Sequence, residues 1–283
     1  MNERNDNRNQ SRTTAPGVKP IESRSNPIFR ELKTLLESSG LKKSGKFLAS
    51  GRKIVPELMA PPDGVSAILG LESIVTFDGA PELVGHDLQT LLLKKELFAE
   101  LDILGTHYPL LLGSVGEIKT LDLETPPDGL ELVLAMSDPL NLGAALRSAE
   151  AFEASKVILL SECAHPFLPK VLRSSSGSAL RAPIFFGPSI RSLTTAAIKT
   201  LWALDRADAN GAIALSKLKP QKNLRLLIGQ EGQGLPEQIP ASQKISIEMK
   251  PGMDSLNAVA AASIALYNIR QMMPAARKDQ PSR

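Results

Sequence analysis

The chain has 283 residues, 42% of them hydrophobic and 22% charged, the composition of an ordinary soluble protein with room for two domains. Its single cysteine, Cys163, excludes an internal disulfide, and His86, His107 and His165 are scattered without ligand spacing, so no metal is expected. The net charge of +3 permits an anionic partner such as RNA without demanding one.

Residues 1–25 are polar, rich in Asn and Arg, and without hydrophobic periodicity, and they read as a flexible tail. No charged segment followed by an apolar one opens the chain, and no run approaches the ~18 apolar residues of a membrane span. A cytoplasmic protein with no membrane partner is therefore expected.

A first domain is expected over 26–115. Asn26-Pro27 is a helix start, and Ile28, Phe29, Leu32, Leu35 and Leu36 keep helical spacing until Ser38-Ser39-Gly40 ends it. Lys42, Lys43, Lys46, Arg52 and Lys53 gather around Gly51, ahead of an apolar helix bearing Ile54, Val55, Leu58 and Met59. Such a cluster is a solvated face or, beside a tight turn, a grip on phosphates. Residues 65–69 and 73–77 read as strands and 87–104 as a leucine-rich helix. Residues 116–129, with a double proline and Asp-Gly, have the composition of a linker.

From 130 to 273 the pattern changes, with 274–283 left as a second tail. Apolar strands at 132–135, 156–160, 183–186, 200–204, 224–229 and 245–249 alternate with helical stretches, which predicts a parallel sheet covered on both faces. In such sheets ligands bind beyond the carboxyl ends of strands. The loop after the first strand leads to a helix near Leu142, with Arg147 projecting opposite the apolar stripe of Leu142, Ala145, Leu146, Ala149 and Phe152. Asn141 reads as a turn residue or a ligand contact. The loop IGQEGQGL places Gly229, Gly232 and Gly234 around Glu231 and lacks the Lys-Ser/Thr ending of a nucleotide-binding loop. Arg173 and Arg181 flank a Ser/Gly-rich turn, a second plausible phosphate grip. After the last strand, Ser255 sits where a helix cap would, Leu256 opens a helical pattern, and Asn257 follows; capping and substrate contact both remain open readings.

These segments resemble the SpoU/TrmH family of RNA 2'-O-ribose methyltransferases, of the SPOUT class, over about half the chain. The family's N-x-G-x-x-x-R pattern is matched by Asn141, Gly143 and Arg147. Its G-x-E-G-x-G-L loop is matched by Gly229, Glu231, Gly232, Gly234 and Leu235, and its S-L-N step by Ser255, Leu256 and Asn257. Lys170 to Gly177 also look like the family's. One departure is Glu153, where members commonly carry glycine after the aromatic residue, here Phe152.

The resemblance implies an α/β protein: a C-terminal trefoil-knotted, parallel-sheet methyltransferase domain and a smaller N-terminal α/β ribosomal-protein-like domain that binds RNA. It implies S-adenosyl-L-methionine as cofactor, held chiefly by backbone at Gly229, Ile247 and Leu256, and a homodimer. Ribosomal or transfer RNA would be the substrate. Arg147 would be the catalytic arginine, oriented by Asn141, with Ser255 and Asn257 positioning substrate and Glu231 bracing the cofactor side. A guanidinium holds its proton tightly, so a role in polarising the hydroxyl is favoured over that of general base. The alternatives are a non-catalytic RNA-binding assembly protein of the same fold and a knotted enzyme that methylates a base.

Overall fold

The computed structural model describes residues 17–60, 69–83, 87–206, 211–219, 221–230, 232, 234–250, 252–253 and 255–273. Among them the N-terminal part runs β1 (Val18–Ile21), α1 (Pro27–Thr34), α2 (Ser38–Ser44), β2 (Lys46–Ala49), α3 (Ile54–Met59), β3 (Leu69–Phe77), β4 (Gln89–Leu93), α4 (Lys95–Leu101) and β5 (Leu110–Val115). Its strands form a five-stranded mixed sheet in the order β1-β4-β3-β5-β2. The C-terminal part runs β6 (Leu130–Leu134), α5 (Pro139–Ala151), β7 (Lys156–Leu159), α6 (Pro169–Ser174), α7 (Ser178–Arg181), β8 (Ile184–Phe186) and α8 (Thr195–Ile198). It continues with β9 (Trp202–Asp205), β10 (Ile213–Ala214), β11 (Leu224–Ile228), β12 (Lys244–Ser246) and α9 (Ala258–Met272). These strands form a seven-stranded sheet in the order β10-β12-β9-β11-β6-β7-β8, and every described pairing in it is parallel.

The apolar runs Leu132–Leu134 of β6, Val157–Leu159 of β7 and Leu226–Ile228 of β11 are explained by burial on both sides of the sheet. Leu132, Leu134, Val157, Leu159, Leu226 and Ile228 feed one core, while Val133, Ile158 and Leu227 feed another beside Ile190, Ile198 and Leu123. The first core is continuous with that of the N-terminal sheet, where Phe47 of β2 meets Phe167 at 5.8 Å between ring centroids. The loop before α6 thus joins the two sheets.

Several expectations are corrected. The stretch expected as a tail contributes β1, whose Val18 to Ile21 pair in parallel with Thr90 to Leu93 of β4; four residues at a sheet edge are too short to show a period. Ser38 to Gly40 do not simply end a helix but begin α2, where a Cβ on Gly40 would lie 1.9 Å from the Thr34 carbonyl oxygen. Residues 87–104 are not one helix: the leucines at 91–93 lie in β4, and helix starts only at Lys95. A short apolar run reads equally well as strand or buried helix, and here the neighbouring strands decide. Residues 69–77 form one strand, and 65–68 lie outside the described residues.

The connecting segment 116–129 packs against the seven-stranded sheet. Leu123 is buried, Thr120 bridges to Phe186, and the buried Arg225 donates from Nη1 to the Leu123 and Thr125 carbonyls at 2.8 and 3.1 Å. Arg225 Nε in turn donates to Glu131 at 2.7 Å, and Lys156 Nζ donates to the same carboxylate at 2.8 Å. Burial pushes the Glu131 carboxyl up, but Lys156, the Asp128 N–H and Arg225 together hold it below the ordinary range.

Candidate functional site

A cleft of about 770 Å³ opens at the carboxyl ends of β9, β11 and β12, facing the first turns of α5 and α9. Asn141, Gly229, Ile247, Ser255, Leu256 and Asn257, which lie in three segments of the chain, all line it. A parallel sheet brings them together because each strand delivers its following loop to the same edge.

Local chemistry sets each segment. Helix α5 starts at Pro139 rather than near Leu142, capped by Asp138, whose Oδ1 accepts from the N–H groups of Leu140 and Asn141 at 2.9 and 2.8 Å. Asn141 is thereby fixed in the first turn. Gly143 lies two residues on because α6 crosses here: a Cβ would sit 1.8 Å from Ser174 Oγ and 2.7 Å from the Val171 carbonyl oxygen. Ser148 Oγ and Ser263 Oγ lie 2.7 Å apart, tying α5 to α9.

The loop after β11 folds back on itself. Gly234 N–H donates to the Gln230 carbonyl at 3.0 Å, and a Cβ on Gly229 would meet the Gly234 carbonyl oxygen at 2.8 Å. Glu231 lies outside the described residues. At α9 the cap is Asn257 rather than Ser255: its Oδ1 accepts from Val259 and Ala260 N–H at 2.9 and 3.3 Å, and the helix begins at Ala258 rather than Leu256. Ser255 and Leu256 are left in the extended approach to the helix, exposed along the cleft.

Arg147 does not join them. It is exposed on α5, about 9 Å along the helix from Asn141, and its Nη1 lies 3.4 Å from Ser176 Oγ. Residues that sequence reasoning missed also build the cleft. Asp205, paired with Lys244 at 2.9 Å, lines the wall with Leu204, Ile228 and Leu235. The strand-end rule would have found Asp205 had β9 been extended by one residue. With apolar walls, a carboxylate and exposed loop backbone, the cleft suits a molecule that has a flat apolar body and polar ends.

Cys163 lies elsewhere and supplies no nucleophile. Its Sγ donates to the Leu134 carbonyl at 3.0 Å, and burial pushes the thiol up to about 12. His165 is held at about 4 by burial and the Lys42 charge, and its Nδ1 accepts from Phe167 N–H at 3.3 Å in the seam between the sheets. Among the described residues no cluster of His, Cys, Asp and Glu could hold a metal, and no helix is long and apolar enough to cross a membrane.

Residues 130–267 match the SpoU rRNA Methylase family. The chain is 39% identical over 254 residues to ribosomal RNA small subunit methyltransferase G 2 of Syntrophobacter fumaroxidans, covering 89% of this chain but 49% of that one, so it spans about half of that relative's length. It is 27% identical to the 23S rRNA (guanosine(2553)-2'-O)-methyltransferase RlmP of Bacillus subtilis, with 89% of this chain and all (100%) of that one covered. An AdoMet-bound rRNA methyltransferase from Sinorhizobium meliloti shares the fold at a TM-score of 0.70 and 21% identity, over 92% of this chain and 100% of that one. Residues 130–267 of this chain therefore form a domain of the SpoU methylase family.

Proposed function

We propose that the chain transfers a methyl group from S-adenosyl-L-methionine to a ribose 2'-hydroxyl of ribosomal or transfer RNA. The observation that carries this reading is the convergence of Asn141, Gly229, Ile247, Ser255, Leu256 and Asn257 on one cleft at the carboxyl ends of parallel strands. The 2'-hydroxyl specificity is further supported by the B. subtilis relative, which is covered along its whole length; the name of the S. fumaroxidans relative is a weaker guide, since about half of that protein lies outside the match.

The residues fit the cofactor. Leu204, Ile228, Leu235 and Ile247 offer an apolar bed for an adenine ring, and glycine at 229 lets the loop after β11 close on itself at the edge of the cleft. Gly229, Ile247 and Leu256 would hold it through the main chain. When bound, it supplies an electrophilic methyl group on a sulfonium, which an oxygen nucleophile displaces in line. Asn141 and Ser255 border the cleft where a ribose would enter, and Asn257 fixes the loop by capping α9. Arg147 would polarise the hydroxyl and its neighbouring phosphate and stabilise the developing oxyanion. Glu231 would brace the cofactor side.

Because Arg147 stands outside its own chain's cleft, its role is met most simply in a homodimer, where it faces the cleft of a second copy. Exposed Leu140, Leu256, Ile264 and Tyr267 on and beside α5 and α9 supply apolar surface for such an interface. A trefoil knot belongs to the same reading, supported by the crossing of the chain from β11 past β9 to β12. So does an N-terminal sheet that is ribosomal-protein-like and grips RNA.

Incubation with methyl-labelled S-adenosylmethionine and separate ribosomal and transfer RNA pools, followed by nucleoside analysis, tests the reaction. Label in a 2'-O-methylnucleoside is expected. Label on a base would replace the reading with base methylation, and RNA binding without cofactor binding would replace it with a non-catalytic assembly role. Arg147→Ala should abolish transfer while leaving cofactor affinity unchanged. Mixing Arg147→Ala with an inactive cleft variant, Asn141→Ala, should restore part of the activity if the site is shared between copies.

A further inference from the structure

A second cleft, of about 360 Å³, lies in the seam between the two sheets. Its walls come from three places: the turn Ser50 to Lys53 after β2, the loop Leu104 to Thr106 after α4, and Arg173 and Ser176 at the end of α6. The two basic segments that the sequence offers separately as phosphate grips, around Gly51 and around Arg173, therefore meet in one place.

Hydrogen bonds lock the walls together. Asp102, 6% exposed, accepts from His107 N–H at 2.8 Å, from Thr106 Oγ1 at 3.0 Å and from Ser50 Oγ at 3.3 Å, which binds the first two walls to each other. Arg173 Nη1 donates to the Leu104 carbonyl at 3.2 Å, which binds the third wall to the second. Gly51 has φ +117 and Gly105 φ +60, and a Cβ on either would meet nothing within 4 Å. Glycine is required there for the left-handed backbone, and it leaves main chain open toward the cleft.

The charge balance is also decided by the fold. Arg181, the other arginine of the Ser/Gly-rich turn, bonds to Glu57 and Glu150 at once. That pairing occupies Arg181 and offsets one of the two carboxylates, so Arg52, Lys53 and Arg173 on the walls still outweigh the carboxylate that remains and Asp102. Arg52 also stands 5.9 Å over the Tyr108 ring. Arg147, through its contact with Ser176, sits beside the same cleft.

We propose that this seam cleft holds a backbone phosphate of the RNA strand whose nucleotide enters the main cleft, gripped by Arg52, Lys53 and Arg173. The proposal rests on the reading of the chain as an RNA methyltransferase. One phosphodiester held by side chains from both sheets would set the strand's register relative to α5, on which Asn141 and Arg147 lie, without reading base identity.

The test is the salt dependence of binding to a fluorescently labelled, mixed-sequence single-stranded RNA of about twelve nucleotides, followed by anisotropy between about 0.05 and 0.2 M salt. Each lost phosphate contact on a single strand lowers the slope of log K against log salt by about 0.7, which is about five-fold in affinity at 0.1 M. Arg52→Ala combined with Lys53→Ala should weaken binding about 25-fold and flatten the slope by about 1.4, and Arg173→Ala should act in the same direction. All three side chains are exposed, so folding is expected to survive. Lys222→Ala, just ahead of β11 and in the lining of neither cleft, controls for general loss of charge. Variants with wild-type affinity and slope, beside a wild type that binds RNA and transfers methyl groups, would overturn this proposal alone. A wild type that binds no RNA would overturn it together with the reading on which it rests.

Discussion

Glu153 occupies a backbone position that costs it conformational energy, and its replacement gives a sharp test of that cost. Its φ is +57, the left-handed region, at the exit of α5 where family members commonly carry glycine. For a residue with a Cβ this conformation costs roughly 1–2 kcal/mol. Against it stands the ion pair of the Glu153 carboxylate with Arg270, Nε at 3.0 Å, which ties the end of α5 to α9. With the carboxylate side chain 61% exposed, that pair contributes well under ~1 kcal/mol. Glu153→Ala and Glu153→Gly both remove the pair, and only glycine relieves the strain. Glycine gives back roughly 0.5–1 kcal/mol through the freedom it adds to the unfolded chain. The glycine variant should therefore be more stable than the alanine variant by about 0.5–1 kcal/mol. Urea denaturation with unchanged slopes is the assay, with methyl transfer measured in parallel and expected to be little altered. Alanine equal to or better than glycine would refute the argument that backbone strain dominates here.

Other perturbations act at separate places. His165 is held neutral by burial down to about 4, whereas in the unfolded chain it takes up a proton below about 6.5, so its contribution is full above that pH and is lost as pH falls toward 4. The loss is on the order of 3 kcal/mol, and His165→Gln should flatten the fall of stability in that window relative to wild type. Truncating the buried Arg225 to alanine leaves Glu131 with only Lys156 and the Asp128 N–H as partners and should cost on the order of 3 kcal/mol by chemical denaturation, while the linker carbonyls of Leu123 and Thr125 lose their donor. Asn257→Ala removes the cap of α9 and should cost about 1 kcal/mol of stability. It should also weaken cofactor binding measured by calorimetry, because the Leu256 backbone loses its anchor.

Much of the C-terminal architecture is legible in the chain itself. Short apolar runs that alternate with helical periods fit a sheet buried on both faces, and β6, β7 and β11 lie where those runs are. The glycines of the loop after β11 and the small residues of α9 are equally local signals, since they answer to turns and close contacts that the neighbouring residues already imply. The leucines at 91–93 and the stretch 18–21 are not legible in this way, because a strand of four or five residues is chosen by the strand that pairs with it.

The separation between sequence and tertiary structure is clearest at the arginines. Arg147, Arg173 and Arg181 look alike in the sequence, each an arginine on a polar turn or helix face. Packing gives them different surroundings: Arg181 is neutralised by Glu57 and Glu150 from distant segments, Arg173 closes the wall of the seam cleft, and Arg147 is kept out of the cleft that collects Asn141. The sequence by itself determined the alternation of strands and helices, the turn glycines and the polar residues beyond the strand ends, because those follow from local periodicity and backbone sterics. Which of the charged residues meet, which are neutralised and which line the same cavity was decided only by the tertiary structure, since electrostatic partners are set by distance in space and residues more than a hundred positions apart supply them.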